Sequence, residues 1–189
     1  MNPSGAVHVL LFEQEENIMA ETMPSDAIDM LKADHRKVEA LFEQFDEARR
    51  SDRKAHIVEQ ICIELKIHTI IEEEIFYPAV KPKIDAALVE EGVIEHDGAK
   101  VLINDLARAD PKDDYYDAKV KVLSEEIKHH VAEEERWITG MFAQARRTDL
   151  DMEVLGAQMA ARKEELLAQA KKKGGLPVAR MEGLELVEA

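Results

Sequence analysis

A single cysteine, Cys62, is the sharpest shortage in this sequence of 189 residues. One thiol excludes a disulfide framework within the chain, and a lone cysteine in a helix is more often a small hydrophobic side chain than a nucleophile. Glycine and proline are also scarce, at 8 and 6 residues, whereas Ala, Glu, Lys and Leu are common. This composition favours helices, so the predicted fold class is all-α.

Positive charge is in short supply as well. The 25 Lys and Arg residues face 40 Asp and Glu residues, which gives a formal net charge of −15. This balance argues against nucleic acid and anionic membrane surfaces as partners, since both attract basic patches. No apolar run approaches the roughly 20 residues that span a bilayer. The N-terminal VHVLLF has no basic residues before it and no small-residue cleavage site, so it is a poor signal peptide. We therefore expect a soluble, cytoplasmic protein.

The chain divides into four regions. Residues 1–24 carry no helical stripe and are expected to be a disordered extension, with Met19 as an alternative start. Residues 25–145 hold four amphipathic segments, and residues 146–173 hold a fifth that is expected to be an accessory helix. Residues 174–189 are expected to be a flexible tail. The accessory helix and the tail are the candidate surfaces for a protein partner.

Helix boundaries follow from capping residues, prolines and apolar spacing. The five predicted helices cover 25–50, with Ser25 or Asp26 as cap, 52–77, 84–109, 113–145, and 149–173, with Thr148 or Asp149 as cap. Pro78 is expected to stop the second of them. Gly174 and Gly175 are expected to end the fifth.

The second predicted helix carries a histidine and a glutamate one turn apart, at His68 and Glu72. This spacing separates them by about 6 Å along the axis and puts both on the apolar face. That face comprises Ile57, Ile61, Leu65 and Ile75. Buried charge is costly unless it is paired or bound to a metal, so these two side chains require a partner in the core.

The fourth predicted helix repeats the pattern with His130 and Glu134. Its apolar face comprises Val120, Leu123, Ile127, Val131 and Ile138. The first and third helices each carry one histidine in their apolar stripe, His35 and His96. His35 and His68 are 33 residues apart, and His96 and His130 are 34 apart, so the sequence contains two helical hairpins of one plan. Two such hairpins predict an up-and-down four-helix bundle, whose facing helices can build a metal site.

Six donors converge if the four histidines lie at one level of the bundle. Four imidazoles and two carboxylates suit iron, manganese or zinc, whereas calcium and magnesium prefer oxygen ligands. The predicted metal ligands are His35, His68, Glu72, His96, His130 and Glu134. No catalytic group beyond these ligands and no binding motif for an organic cofactor is visible, since the sequence has neither a Gly-rich phosphate loop nor a Ser-His-Asp pattern.

With these residues the sequence resembles the hemerythrin-like, or HHE cation-binding, domain over about residues 25–145. The resemblance implies a bundle around two iron ions, a non-haem di-iron centre. Glu72 and Glu134 would bridge the irons beside an oxo or hydroxo group, and manganese or zinc are alternative metals. It further implies that the protein interacts with oxygen, peroxide or nitric oxide in oxidative or nitrosative stress. Catalase-like activity or oxidoreductase activity on nitric oxide is the candidate reaction.

The sequence departs from the oxygen-carrying members of that family. Those have a second histidine one turn away on the third helix and an Asp on the fourth, whereas here Gly92 and Lys100 flank His96 and the carboxylate is Glu134. One imidazole fewer is expected to leave coordination positions open, which favours redox chemistry or sensing over oxygen carriage. The alternatives are an oxygen-, iron- or redox-sensing or iron-holding module without turnover, and a bundle whose polar core holds no metal.

Several nearby side chains have competing interpretations. His129 has the same spacing to Glu133 as His130 has to Glu134, but the helical wheel turns His129 towards solvent. Glu39, one turn after His35, is predicted to point inward, and a role as an additional ligand or proton relay is the less favoured of its interpretations. The expected solvated charge runs are Glu73, Glu74, Glu133 and Glu135. The expected packing residues are Tyr77 and Trp137.

Overall fold

The computed structural model describes residues 26–185, so the expectations for residues 1–25 and 186–189 lie outside it. Within the described range the chain is all-helical, with four long helices in a bundle and an additional C-terminal helix. The predicted fold class is confirmed. No helix of the described part is long and apolar enough to cross a membrane.

The long helices α1, α2, α4 and α5 form the bundle. The helices are α1 (Ala27–Glu47), α2 (Ser51–Ile71), α3 (Tyr77–Val80), α4 (Ala86–Leu106), α5 (Tyr116–Glu134), α6 (Met141–Ala145) and α7 (Met152–Lys173). A π-helical turn, Glu72–Phe76, joins α2 to α3. Around the bundle, α1 packs on α2, α2 on α4, α4 on α5 and α5 on α1, while α7 lies outside against α1 and α2.

Buried apolar side chains form two clusters along the bundle axis, and the histidines lie between them. In α1, His35 stands between Leu31 of one cluster and Val38 of the other. In α2, His68 stands between Leu65 and Ile71 in the same way. Burying a side chain of this size stabilises the fold by about 1.5–3 kcal/mol. The two clusters therefore fix the helices against one another and exclude water from the level between them.

The prediction that Pro78 stops the second helix was wrong. After α2 the chain stays helical through the π-helical turn and into α3. In the π-helical turn, the backbone N–H of Tyr77 donates to the carbonyl oxygen of Glu72, five residues back. The turn lets α3 begin afresh, with Pro78 in its first turn, where a missing N–H costs little. The helical path then continues to Val80. It also leaves Tyr77 buried, at 3% exposure.

Helix α5 ends at Glu134, well before its predicted end. The backbone N–H of Gly140 donates to the carbonyl oxygen of Arg136 at 3.0 Å and closes a turn. A Cβ at Gly140 would lie 2.6 Å from the carbonyl oxygen of Glu134, so only glycine allows this close approach. Trp137 and Ile138 lie on the turn and are 86% and 55% exposed. The expectations that Trp137 packs in the core or at the end of the bundle and that Ile138 belongs to the apolar face were therefore wrong.

The predicted fifth helix is present as α7. It begins a little later than predicted because Asp151 is its cap, and the Asp151 side chain accepts from two backbone N–H groups of the first turn. Gly174 ends it with φ +70, as expected for a glycine after a helix. Beyond it, the segment predicted to be flexible lies along α4, where Asp97 accepts hydrogen bonds from three of its backbone N–H groups.

Candidate metal centre

The four predicted histidine ligands meet at one level of the bundle as two pairs. Nε2 of His35 lies 3.2 Å from Nε2 of His68, and Nε2 of His96 lies 3.2 Å from Nε2 of His130. None of the four residues is more than 5% exposed. The two hairpins predicted from the sequence thus each contribute one histidine from each of their two helices.

The two predicted glutamate ligands connect these pairs. Oε2 of Glu72 lies 3.1 Å from Nε2 of His68 and 3.3 Å from Nε2 of His96. Oε2 of Glu134 approaches Nε2 of the other two histidines at 3.4 and 3.5 Å. Each carboxylate therefore reaches one imidazole of each pair, and the ligand atoms of His68, Glu72, His130 and Glu134 lie within 4.8 Å of one another, close enough to hold a metal ion.

A second set of carboxylates stands behind the imidazoles on their Nδ1 sides. The pairs are His35 with Glu135 at 2.8 Å, His96 with Glu73 at 2.9 Å, His130 with Glu95 at 2.7 Å and, at a longer 3.9 Å, His68 with Asp34. An ionised carboxylate can only accept, so the three short contacts assign a proton to Nδ1. The lone pair of Nε2 then faces inward, as in metal-binding histidines that are held by an outer carboxylate.

Several buried polar atoms of this cluster have no hydrogen-bond partner, which is the situation expected of metal ligands. Among the described residues, the buried side-chain atoms without a hydrogen bond are Nδ1 of His68, both carboxylate oxygens of Glu72 and Oε2 of Glu134. A buried carboxylate oxygen without a partner is costly. A cation between the carboxylates and imidazoles would remove this cost, and iron, manganese and zinc accept this mixture of nitrogen and oxygen ligands.

The pKa values of His35, His68 and Glu134 are shifted from their ordinary values in different directions. Burial lowers the pKa of His35 to about 4. Burial would also lower the pKa of His68, but the charges of Glu72 and Asp34 outweigh it and raise this pKa to about 10. Burial, reinforced by the charge of Glu72, raises the pKa of Glu134 to about 8. The cluster without metal therefore holds protons that a metal must displace.

Tyr77 belongs to the site, although the sequence predicted only a packing role. Its O–H donates to Oε1 of Glu134 at 3.1 Å, and its oxygen lies 3.4 Å from Nε2 of His96. The phenol ring stacks on the His96 imidazole with centroids 5.4 Å apart. A Cβ at Gly92 would lie 2.9 Å from the phenol oxygen, so the glycine makes room for it. The space one turn before His96, expected to be open, holds this phenol.

Lys100, one turn after His96, points away from the centre. Its Nζ lies 2.7 Å from Oε1 of Glu73 and 3.0 Å from Oδ1 of Asp97. The Glu73 side chain is 6% exposed, so its expected place on a solvated face was wrong. Glu135 is likewise drawn to the site, with its side chain 23% exposed.

Two alternatives from the sequence are resolved by burial. The side chain of His129 is 66% exposed and pairs with Glu95 at 3.3 Å, whereas His130 is buried in the site. Glu39 pairs with Arg36 at 3.2 Å on the outside of α1, with its side chain 31% exposed. The expectation that Glu39 points inward was wrong.

The family assignment agrees with this geometry. Residues 26–142 match the family model described as the hemerythrin HHE cation binding domain. The chain belongs to the hemerythrin HHE family. Uncharacterised proteins of Mycobacterium tuberculosis and Mycobacterium bovis are each 28% identical to this HHE protein over 146 residues, which cover 75% of this chain and 87% of theirs.

A solved structure is similar as well. The crystal structure of a hemerythrin HHE cation binding domain-containing protein from Mycobacterium kansasii is 27% identical, with a TM-score of 0.66. The match covers 79% of this chain and 94% of that one. The family model itself ends at residue 142, so α7 and the segment after it lie outside the part of this HHE protein that it describes.

Proposed function

We propose that this HHE protein holds two iron ions at the level of its four buried histidines and acts on hydrogen peroxide or nitric oxide. The observation that carries the proposal is the pairing of the inward Nε2 atoms, with each of Glu72 and Glu134 reaching one imidazole of each pair. The ligands would be His35, His68, Glu72, His96, His130 and Glu134. Such a reaction would serve a role in oxidative or nitrosative stress, which the proposal assigns to the cytoplasm.

A bound di-iron centre would supply electrons and coordination positions for a small ligand. Around it the chain supplies an enclosed, apolar space. A cavity of about 10 Å³ adjoins the histidines and is lined on its apolar side by Val38, Leu65, Ile127 and Val131. This volume is roughly that of one water-sized molecule. The small space around the histidines supports a diatomic molecule or peroxide as the proposed ligand.

Tyr77 supplies a hydrogen-bond donor to the site. Burial, together with the charges of Glu134 and Glu72, raises its pKa well above the ordinary value, so the phenol keeps its proton. Its O–H holds Oε1 of Glu134 and leaves Oε2 directed at the imidazoles. The same phenol oxygen lies beside Nε2 of His96, where it could donate to a small molecule bound in the site.

The test is ligand binding and turnover by protein reconstituted anaerobically with ferrous iron. Azide and nitric oxide should change its absorption spectrum, and hydrogen peroxide should disappear faster than with the same amount of free iron. The zinc-loaded protein is the matched control, because zinc takes the same ligands but has no redox chemistry. If no ligand binds and peroxide loss equals that of free iron, the redox proposal fails.

A module that senses or stores iron without turnover is the second candidate. It is favoured by the contacts that lead from the metal ligands to the C-terminal segment outside the matched domain. In that case α7 and the segment after it would be the surface for a protein partner. Metal binding without peroxide or nitric oxide turnover would support this candidate.

A further inference from the structure

A continuous path of polar contacts leads from residues near the end of the described chain, which are exposed, through buried side chains of α4 to His96. Residues 176–184, here called the C-terminal strap, lie along α4. The backbone N–H groups of Glu182, Gly183 and Leu184 donate to the Asp97 carboxylate at 3.0, 2.7 and 2.9 Å. Asp97 is fully buried and directly follows His96 in the sequence. The strap therefore reaches α4 beside a proposed metal ligand.

The path continues through Lys100 and Glu73. Nζ of Lys100 lies 3.0 Å from Oδ1 of Asp97 and 2.7 Å from Oε1 of Glu73. Nδ1 of His96 donates to the same Oε1 of Glu73 at 2.9 Å. Lys100 is only 2% exposed. Because these side chains are shielded from water, each contact is stronger than it would be on the surface. A change at Asp97 is therefore expected to alter the contact between Glu73 and His96.

The remaining strap contacts anchor it without touching this path. Asn104 of α4 exchanges two hydrogen bonds of 2.9 Å with the backbone of Ala179. Nζ of Lys66 in α2 donates to the carbonyl oxygen of Pro177 at 3.1 Å. The strap is thus held at three places, and only its last contact bears on His96.

We propose that Asp97 and Lys100 are positioning residues of the metal centre, and that docking of the C-terminal strap and metal binding at His96 strengthen each other. Glu73 fixes the ring and the tautomer of His96, as an outer carboxylate does for a metal-binding histidine. Lys100 is shared between Glu73 and Asp97. The three strap N–H groups satisfy Asp97, which leaves Lys100 available to hold Glu73 in place. Without the strap, Asp97 competes for Lys100, and His96 loses its fixed partner.

Coupling of this kind is reciprocal. If strap docking raises the affinity for metal by some factor, bound metal raises the docking equilibrium of the strap by the same factor. The inference rests on the proposed metal site but on no particular reaction there. Occupancy of the centre would then be reported at the protein surface by a segment outside the family domain.

The experiment is a titration with Co²⁺, whose visible spectrum reports both affinity and ligand geometry. The variants are a chain that ends after Gly175, the substitution Asp97→Asn, and both together. The first two should each lower Co²⁺ affinity about tenfold, the lower end of the range for loss of a partner behind a metal-binding histidine, and should alter the spectrum. The combined variant should lose little more, since both changes break the same path.

Substitutions of lysine provide the controls. Lys100→Met should lower affinity and change the spectrum, and Lys100→Arg, which keeps the charge, should restore much of both. Lys119→Met is the matched control, because Lys119 joins α5 to Asp105 of α4 by an ion pair away from the site. It should leave affinity and spectrum unchanged. Circular dichroism on each variant separates a folding defect from a change at the metal.

Hydrogen exchange of the intact protein tests the reciprocal effect. The amides of residues 182–184 should exchange about tenfold more slowly with Zn²⁺ bound than after chelation, matching the affinity loss on truncation. Equal Co²⁺ affinity and spectrum in the full-length and truncated chains, or strap exchange that ignores Zn²⁺, would overturn the inference. Failure of the full-length chain to bind Co²⁺ at all would instead refute the proposed metal site.

Discussion

Three glutamates provide a graded test of which carboxylates hold the metal. Glu72 is fully buried and both of its oxygens lack hydrogen bonds, whereas Glu73 contacts His96 only from behind. Glu133 pairs with Arg136 on the outside of the bundle. The changes Glu72→Ala, Glu73→Gln and Glu133→Ala therefore remove, in turn, a proposed ligand, an outer partner and a surface charge.

The expected losses of metal affinity differ by orders of magnitude. Removing an outer partner typically costs 10- to 100-fold, or about 1.4–3 kcal/mol, which is the expectation for Glu73→Gln. Glu72→Ala should cost more than this, because it deletes an oxygen that approaches one imidazole of each pair. Glu133→Ala should change affinity by no more than about twofold, since exposed ion pairs contribute little.

The assay is competition for Zn²⁺ or Co²⁺ against a chromophoric chelator of known affinity. Each variant is first checked for helix content, so that loss of metal is not confused with loss of fold. Equal losses from all three substitutions would show that the carboxylates act only through net charge. A large loss from Glu133→Ala together with little loss from Glu72→Ala would show that the inward set has been misassigned.

Four further predictions follow from the same geometry. His130→Ala should abolish tight metal binding while His129→Ala should leave it intact, measured by the same competition assay. Chelation should lower the melting temperature, because a metal at a thousandfold excess over its Kd adds about 4 kcal/mol, roughly 10 °C for a domain of this size; an unchanged value would mean the donors are not satisfied by metal. Since the pKa of Glu134 is raised to about 8 and that of His68 to about 10, both protons must leave on binding, so Zn²⁺ affinity should rise with pH through about 8 and level off only above about 10. Tyr77→Phe should keep the metal content but slow peroxide turnover, and unchanged turnover would remove the phenol from the mechanism.

The six proposed ligands could be found from the sequence because each follows from helical periodicity. His35, His68, His96 and His130 lie within apolar stripes, and their spacing alone implied two matched hairpins. The same periodicity separated His130 from His129. The direction in which each of these side chains points is set by the regular geometry of its own helix, so it can be predicted one helix at a time.

Tyr77 and Glu73 could not be placed in this way. Both lie in or directly after the π-helical turn, where the extra residue breaks the period of 3.6 on which the helical wheel depends. The phenol also needs the absence of a side chain at Gly92, on a different helix. Glu73 is buried because His96 and Lys100 of α4 receive it. The positions of Tyr77 and Glu73 therefore depend on contacts between different helices, which cannot be predicted from the sequence of one helix alone.

The end of α5 shows a different limit. The apolar pattern continues past Glu134 into Trp137 and Ile138, which favoured one long helix. The chain turns instead at Gly140, where the close approach to the carbonyl oxygen of Glu134 requires a glycine. A glycine near a helix end is a recognised stop signal, but the predicted helix follows the apolar spacing alone and runs past Gly140 to residue 145.

The central claim is that the bundle holds two metal ions between its histidine pairs. The direct measurement is metal analysis of protein reconstituted anaerobically with ferrous iron and then freed of excess metal. The protein is expected to retain two iron ions per chain and to show, after oxidation, an oxo-to-iron absorption in the near ultraviolet. A folded protein that retains well under one metal ion per chain would contradict it.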